Sequence, residues 1–200
     1  MAIKVANNQS LTAITALPSG VSGGAMNLLE TQTASSSSTI SFTSNIDSTY
    51  KEYVFKFYDI HPSAAQEFMF QADTGTNTSY NQTITSTAFQ AYHRENGADS
   101  ALGYAGSSDL AQSTSFQRLS TATINTNNDD SLAGHLTIYD PSNSTFVKHF
   151  IARTQSPDPN FAYDNCIAGY FNTTTALTRF QFKMDSGNID SGVIKLYGIS

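Results

Sequence analysis

Charge is what this chain has least of. Only 13% of its 200 residues are Asp, Glu, Lys or Arg, about half the usual share for a globular domain. The polar surface must be built from other groups. Ser and Thr, a quarter of the chain, supply it. Tryptophan is absent, which weakens a lectin reading, although ten tyrosines remain for stacking on sugars. There is one cysteine, Cys166. It excludes an intrachain disulfide and a cysteine metal cluster, so packing or partner chains must supply stability. In "YDNCIAGYF" it reads as a small buried hydrophobe.

Other absences narrow the partners. No apolar run approaches the roughly 20 residues of a membrane-spanning helix. No secretory leader is expected, because "VANNQS" is polar where its apolar core would lie. The ten Lys and Arg are scattered singly in a chain of net charge -6. A binder of nucleic-acid phosphates needs clustered cations, so neither nucleic acid nor membrane is an expected partner. Five N-x-S/T triplets are no more than a Ser/Thr-rich composition produces, and imply no glycosylation.

Catalytic patterns are also missing. His61, His93, His135 and His149 form neither H-x-H nor H-E-x-x-H, and each reads as a structural histidine. His93, Arg94 and Glu95 are adjacent on a strand, so they cannot converge by spacing alone. There is no G-x-S-x-G elbow, no P-loop and no paired carboxylate motif. "NTNNDD" (125–130) and "DSGNID" (185–190) are oxygen-rich but lack EF-hand spacing. Asp185, Asn188 and Asp190 read as turn residues. The expectation is a protein with no cofactor, no metal and no enzymatic activity.

What is present is alternation. From Ser38 onward, runs of about five to nine residues show period two, separated by Asn, Asp, Gly, Pro or Ser clusters. "KEYVFKFYDI" puts Tyr53, Phe55 and Phe57 on one face and Val54, Lys56 and Tyr58 on the other. "TFVKHFIART" sets Phe146, Lys148 and Phe150 opposite Val147, His149 and Ile151. "STISFT", "QEFMFQA", "NQTITSTAFQAYH", "SFQRLSTATI", "GHLTIYD", "CIAGYF", "TRFQFKM" and "GVIKLYGI" complete nine or ten strands. The fold expected is an all-β sandwich, jelly-roll-like, with an extra hairpin. "DSGNIDSG" is read as the tip of a final hairpin. "GVIKLYGIS" has Val193, Lys195, Tyr197 and Ile199 on one face and Ile194 and Leu196 on the other. A strand apolar on both sides belongs inside a sheet or at an interface. "RENGADSALGYAGSSDLAQSTS" reads as a long loop of the functional or edge-covering kind.

The first 37 residues differ. They contain no aromatic side chain and end in a serine run. The division expected is an extended N-terminal arm, 1–37, and a sandwich domain, 38–200. No more than one or two helical turns are expected, in "AMNLLETQT". Ile3, Val5, Leu11, Ile14 and Leu17 recur among small and polar residues, as they do in an arm that lies along a neighbour.

Several stretches carry a resemblance: "YVFKFYDIHPSA", "STAFQAYHRENG", "TFVKHFIA" and "AGYFNTTTALTRFQFKMDSGNIDSGVIKLYGI". From Thr49 to Ser200 the chain resembles small structural proteins of marine tailed bacteriophages. The resemblance implies a jelly-roll-like virion module, in a capsid decoration, a tail fibre or another appendage. It brings no catalytic residues, and it does not cover the first 37. The function expected is a non-enzymatic virion protein, a homo-oligomer (a homotrimer) docked on other virion proteins by its arm. The alternative is a carbohydrate- or receptor-binding module that takes a host surface glycan in the long loop, with Tyr92 and Tyr104 as stacking residues.

Overall fold

The computed structural model describes residues 25–158 and 160–200. They form twelve strands: β1 Met26–Ser37, β2 Ile40–Phe42, β3 Glu52–Pro62, β4 Phe68–Thr74, β5 Ile84–Arg94, β6 Ser100–Tyr104, β7 Gln117–Arg118, β8 Leu132–Tyr139, β9 Lys148–Asp158, β10 Phe161–Phe171, β11 Leu177–Met184 and β12 Ile189–Ile199. Two antiparallel sheets face each other. The wide one has eight strands in the order β1-β12-β3-β8-β9-β10-β5-β6, and the narrow one four, β2-β11-β4-β7.

The strand order is that of a jelly roll with additions. The chain passes between sheets at each step from β1 to β4, and again from β7 to β8 and from β11 to β12. These eight strands give the interleaved quartets β1-β12-β3-β8 and β2-β11-β4-β7, the two facing four-stranded sheets of a jelly roll. Two hairpins are inserted. β5–β6 leaves between β4 and β7, and β9–β10 between β8 and β11. Both add to the β8 side of the wide sheet.

The alternating runs explain the core. Tyr53, Phe55 and Phe57 of β3 point inward and are at most 2% exposed. Phe55 and Phe57 meet Phe42, Phe68, Phe180 and Phe182 in a lattice of mostly edge-on rings 5.0–6.0 Å apart, while Tyr53 packs on Tyr50. Phe182 also stacks on Phe70. Each such pair contributes about 0.5–1.5 kcal/mol beyond the area it buries. The extension is sealed differently. Its inner face is capped by residues 105–124, tied down by polar side chains. The Gln117 amide donates to the Ser108 and Arg118 carbonyls, while Ser86 donates to its oxygen at 2.5 Å. Asn165, fully buried, donates to the Thr154 hydroxyl and carbonyl and to the Ser156 hydroxyl, and accepts from Thr121.

Several expectations are corrected. "AMNLLETQT" is not helical: it lies in β1, which pairs with β12 from Met26↔Ile199 to Ser37↔Ile189. Its cross-strand partners override a sequence without aromatics. The sandwich therefore begins at Met26, inside the segment assigned to the arm. Ile3, Val5, Leu11, Ile14 and Leu17 lie outside the described residues. "DSGNIDSG" is not a hairpin tip, because β11 and β12 belong to different sheets. It is a corner, held where Ser63 and Asn188 exchange hydrogen bonds of 2.9 Å. The closing strand itself lies inside the wide sheet, between β1 and β3, as its two apolar faces require. There Gly198 is obligatory: a Cβ at this site would come within 2.3 Å of the Tyr50 ring. "SFQRLSTATI" supplies only the two-residue β7 and an isolated Gln66↔Ile124 bridge. Phe146 precedes β9 and is 68% exposed, so it does not share the inward face of Lys148 and Phe150.

Candidate interaction face

The narrow sheet covers one side of the wide sheet. The other side is uncovered by any described residue range, and its outward positions form rows across the strands. One row runs Thr31, Lys195, Lys56, His135, Arg153, Cys166, Phe89, Tyr104, through all eight strands. Lys195↔Lys56, Lys56↔His135 and His135↔Arg153 are direct cross-strand partners. Neighbouring strands lie about 4.8 Å apart, so these four side chains form a basic band about 14 Å long. The sequence hides the band because its members come from four separate strands.

The centre of the band has an internal symmetry. β3 and β12 each carry a Lys-x-Tyr motif facing outward, Lys56-Phe57-Tyr58 and Lys195-Leu196-Tyr197. Antiparallel pairing crosses them. Lys56 Nζ lies 5.6 Å from the Tyr197 ring centroid, and Lys195 Nζ lies 5.4 Å from that of Tyr58. These are cation–π distances. Burial, then the hydrogen bond to Tyr58, raises the Tyr197 pKa above its ordinary value. Arg153 is committed to Asp164 through a bidentate pair, Nε–Oδ1 2.9 Å and Nη2–Oδ2 2.7 Å. That hydrogen bond is the first cause that lowers Asp164 and raises Arg153. Partial desolvation, then Lys56 and Arg153, hold His135 below its ordinary 6.5. Beside the band, Tyr139, His149, Ile151, Ala168, Tyr170, Thr85 and Thr87 line a shallow apolar trough of about 590 Å³.

Other sequence candidates fall elsewhere. Tyr104 faces outward opposite Phe89 and is 63% exposed, with its hydroxyl donating to the Asp109 carboxylate. Tyr92 is three residues along β5 from Phe89, hence on the opposite face. It packs on Phe161 and Tyr163 at 5.7 and 5.5 Å. The two tyrosines do not converge. The long loop contains β6, an edge strand exposed throughout, and its remainder covers the extension. Cys166 is half-buried on the outer face rather than in the core, and burial pushes its thiol pKa up. His93, His135 and His149 point outward and make no hydrogen bond among the described residues, unlike structural histidines of a core. His61 Nδ1 stands 4.0 Å from Asp190 and its Nε2 3.2 Å from the Asn127 carbonyl. No histidine among the described residues hydrogen-bonds a serine, and none of their acidic, His or Cys groups clusters by threes. Asp190 accepts from Ser36, and the Asn188 amide donates to Ser63, so these turn residues serve the corner.

One buried cation escaped the sequence reading of Lys148 as a strand residue like its neighbours. Lys148 is fully buried and donates to the Phe146 and Thr173 carbonyls at 2.9 and 3.1 Å. Burial lowers its pKa, against the pull of Asp140. It ties the β8–β9 turn to the chain after β10, so its role is architectural.

Comparison with protein-family models, with curated protein sequences and with solved structures gives no match.

Proposed function

We propose that this chain is a non-enzymatic structural component of a tailed-phage particle, a homo-oligomer attached by the residues before β1. The observation that carries the reading is the way the chain enters the fold. β1 is an edge strand of the wide sheet, and at its start the Ser200 amide donates to the Ala25 carbonyl. The chain therefore leaves the sandwich from an edge, not through its core. A contact made by a neighbour at this edge would leave β1 in place in the sheet. The resemblance of residues 49–200 to phage structural proteins supports the same reading, as does a described interior given over to packing. Fold alone would not, since a jelly roll hosts many functions.

The test is deletion of residues 1–24. The truncated chain should fold with an unchanged melting temperature yet fail to enter particles. Undiminished incorporation would refute the docking role. The glycan-binding alternative loses its original site, since Tyr92 and Tyr104 lie on opposite faces.

A further inference from the structure

We propose that the crossed Lys-x-Tyr motifs and the flanking His135 form a binding site for a linear acidic polysaccharide, carrying carboxylate or sulfate groups. This goes beyond the particle role and does not depend on it.

Like charges placed directly opposite each other on adjacent strands destabilise a sheet. This chain has few cations to place and a net charge of -6, yet it sets Lys56 against Lys195 and follows them with His135 and Arg153. Among the described residues, neither Lys56 nor Lys195 has a carboxylate within ion-pair distance. The ion pairs there are Lys51–Asp140, His61–Asp190, Arg118–Glu67 and Arg153–Asp164. The acidic groups near the band are Asp164, held by Arg153, and Glu52, two outward positions along β3 from Lys56, while Asp59 and Asp190 lie farther along β3 and β12 beside His61. Inside the fold the two ammonium groups meet only the rings of Tyr197 and Tyr58, and a paired charge left without a counter-anion points to an anionic ligand.

The shape selects the ligand class. Lys195 and Lys56 stand one strand apart on a flat face, with His135 next in the row as a hydrogen-bonding imidazole and Arg153 already held by Asp164, so the partner is extended and carries anions at intervals. Tyr58 and Tyr197 border the lysines and offer rings for the apolar faces of sugar units, while the ammonium groups reach carboxylate or sulfate oxygens. Thr31 continues the row beyond Lys195 with a hydroxyl. Nucleic acid fits worse, because its dense phosphates need more cations than this band has, and the overall negative charge repels it.

The test is binding of the full chain to heparin (sulfated) and polygalacturonate (carboxylated), with neutral dextran and poly-glutamate as comparators, by calorimetry at low and physiological salt. One or both acidic polysaccharides should bind, more weakly as salt rises, and dextran should not. Which of the two binds distinguishes sulfate from carboxylate recognition. Lys56→Gln with Lys195→Gln should weaken binding by roughly a hundredfold, about tenfold for each charge-assisted contact. Tyr58→Ala should weaken it while leaving the charge unchanged. Lys51→Gln with Lys183→Gln, equal in charge change but off the face, should have little effect. Thermal melts of each variant separate lost binding from lost folding. No binding to either acidic polysaccharide at low salt would overturn the proposal. So would equal losses in the off-face pair, or poly-glutamate binding as tightly as the polysaccharide.

Discussion

The two halves of the wide sheet are sealed by different proportions of aromatic packing and polar bonding. Over β1-β12-β3-β8 the seal is a second sheet, and the interface is a lattice of phenylalanine rings around Phe182. Over β9-β10-β5-β6 the rings continue only through Phe150 and Phe171, which pack on Phe70 and Phe180, and the rest is covered by the 105–124 segment, fixed by Asn165, Thr154, Ser156 and Gln117. Hydrophobic burial is tolerant of detail, whereas a buried polar network stabilises only while every member is satisfied. The jelly-roll half should thus resist small changes of shape, and the extension should not.

The largest expected effect of a single substitution lies in the aromatic half. Phe182→Ala removes a ring that touches Phe42, Phe55, Phe57, Phe68 and Phe70, and should cost about 3–5 kcal/mol in denaturant unfolding. Phe182→Leu should be far milder. In the extension, Asn165→Leu is close in volume but leaves the Thr154 and Thr121 groups without their partner. A cost of about 1–3 kcal/mol is expected, with hydrogen-exchange protection lost in 105–124 before the jelly-roll strands. Equal loss of protection in both halves would show a single sealing mechanism. Trimming the chain from Val193 removes most of β12 from between β1 and β3 and should abolish folding, whereas Asp190→Ala should do little.

These differences also explain what was legible in the sequence. The ring lattice announced itself as period two in "KEYVFKFYDI" and "TRFQFKM", because one buried face leaves that imprint. β1 left none: "MNLLETQTASSS" is a strand only because β12 lies beside it. β6 was hidden in a Gly-rich loop for the same reason. The corner at 185–188 reads as a hairpin in sequence, because turn residues mark a reversal without saying which sheet receives the next strand. The basic band was half visible, as Lys56 and Tyr58 alternate outward on β3 and Lys195 and Tyr197 on β12. Their meeting depends on register between strands some 140 residues apart, which no local pattern encodes.

The smallest expected effect is on the outer face. His135 is held below 6.5 by partial desolvation, then by Lys56 and Arg153. Its folded pKa is below its unfolded one, so the unfolded chain takes up the proton first. Stability should therefore be unaffected above pH 6.5 and fall as pH drops below it. His135→Gln should flatten that slope in melting curves. Asp164 and Asp140, both depressed, contribute stability that is present above their ordinary 3.8 and lost as pH falls through their folded values.

The most direct test of the proposed particle role is a density map of tailed-phage particles assembled with this chain. The account predicts the sandwich on the particle, its β1 edge and preceding residues against a neighbouring subunit, and the Lys56–Lys195 face turned to solvent. Absence of the chain from purified particles would contradict it.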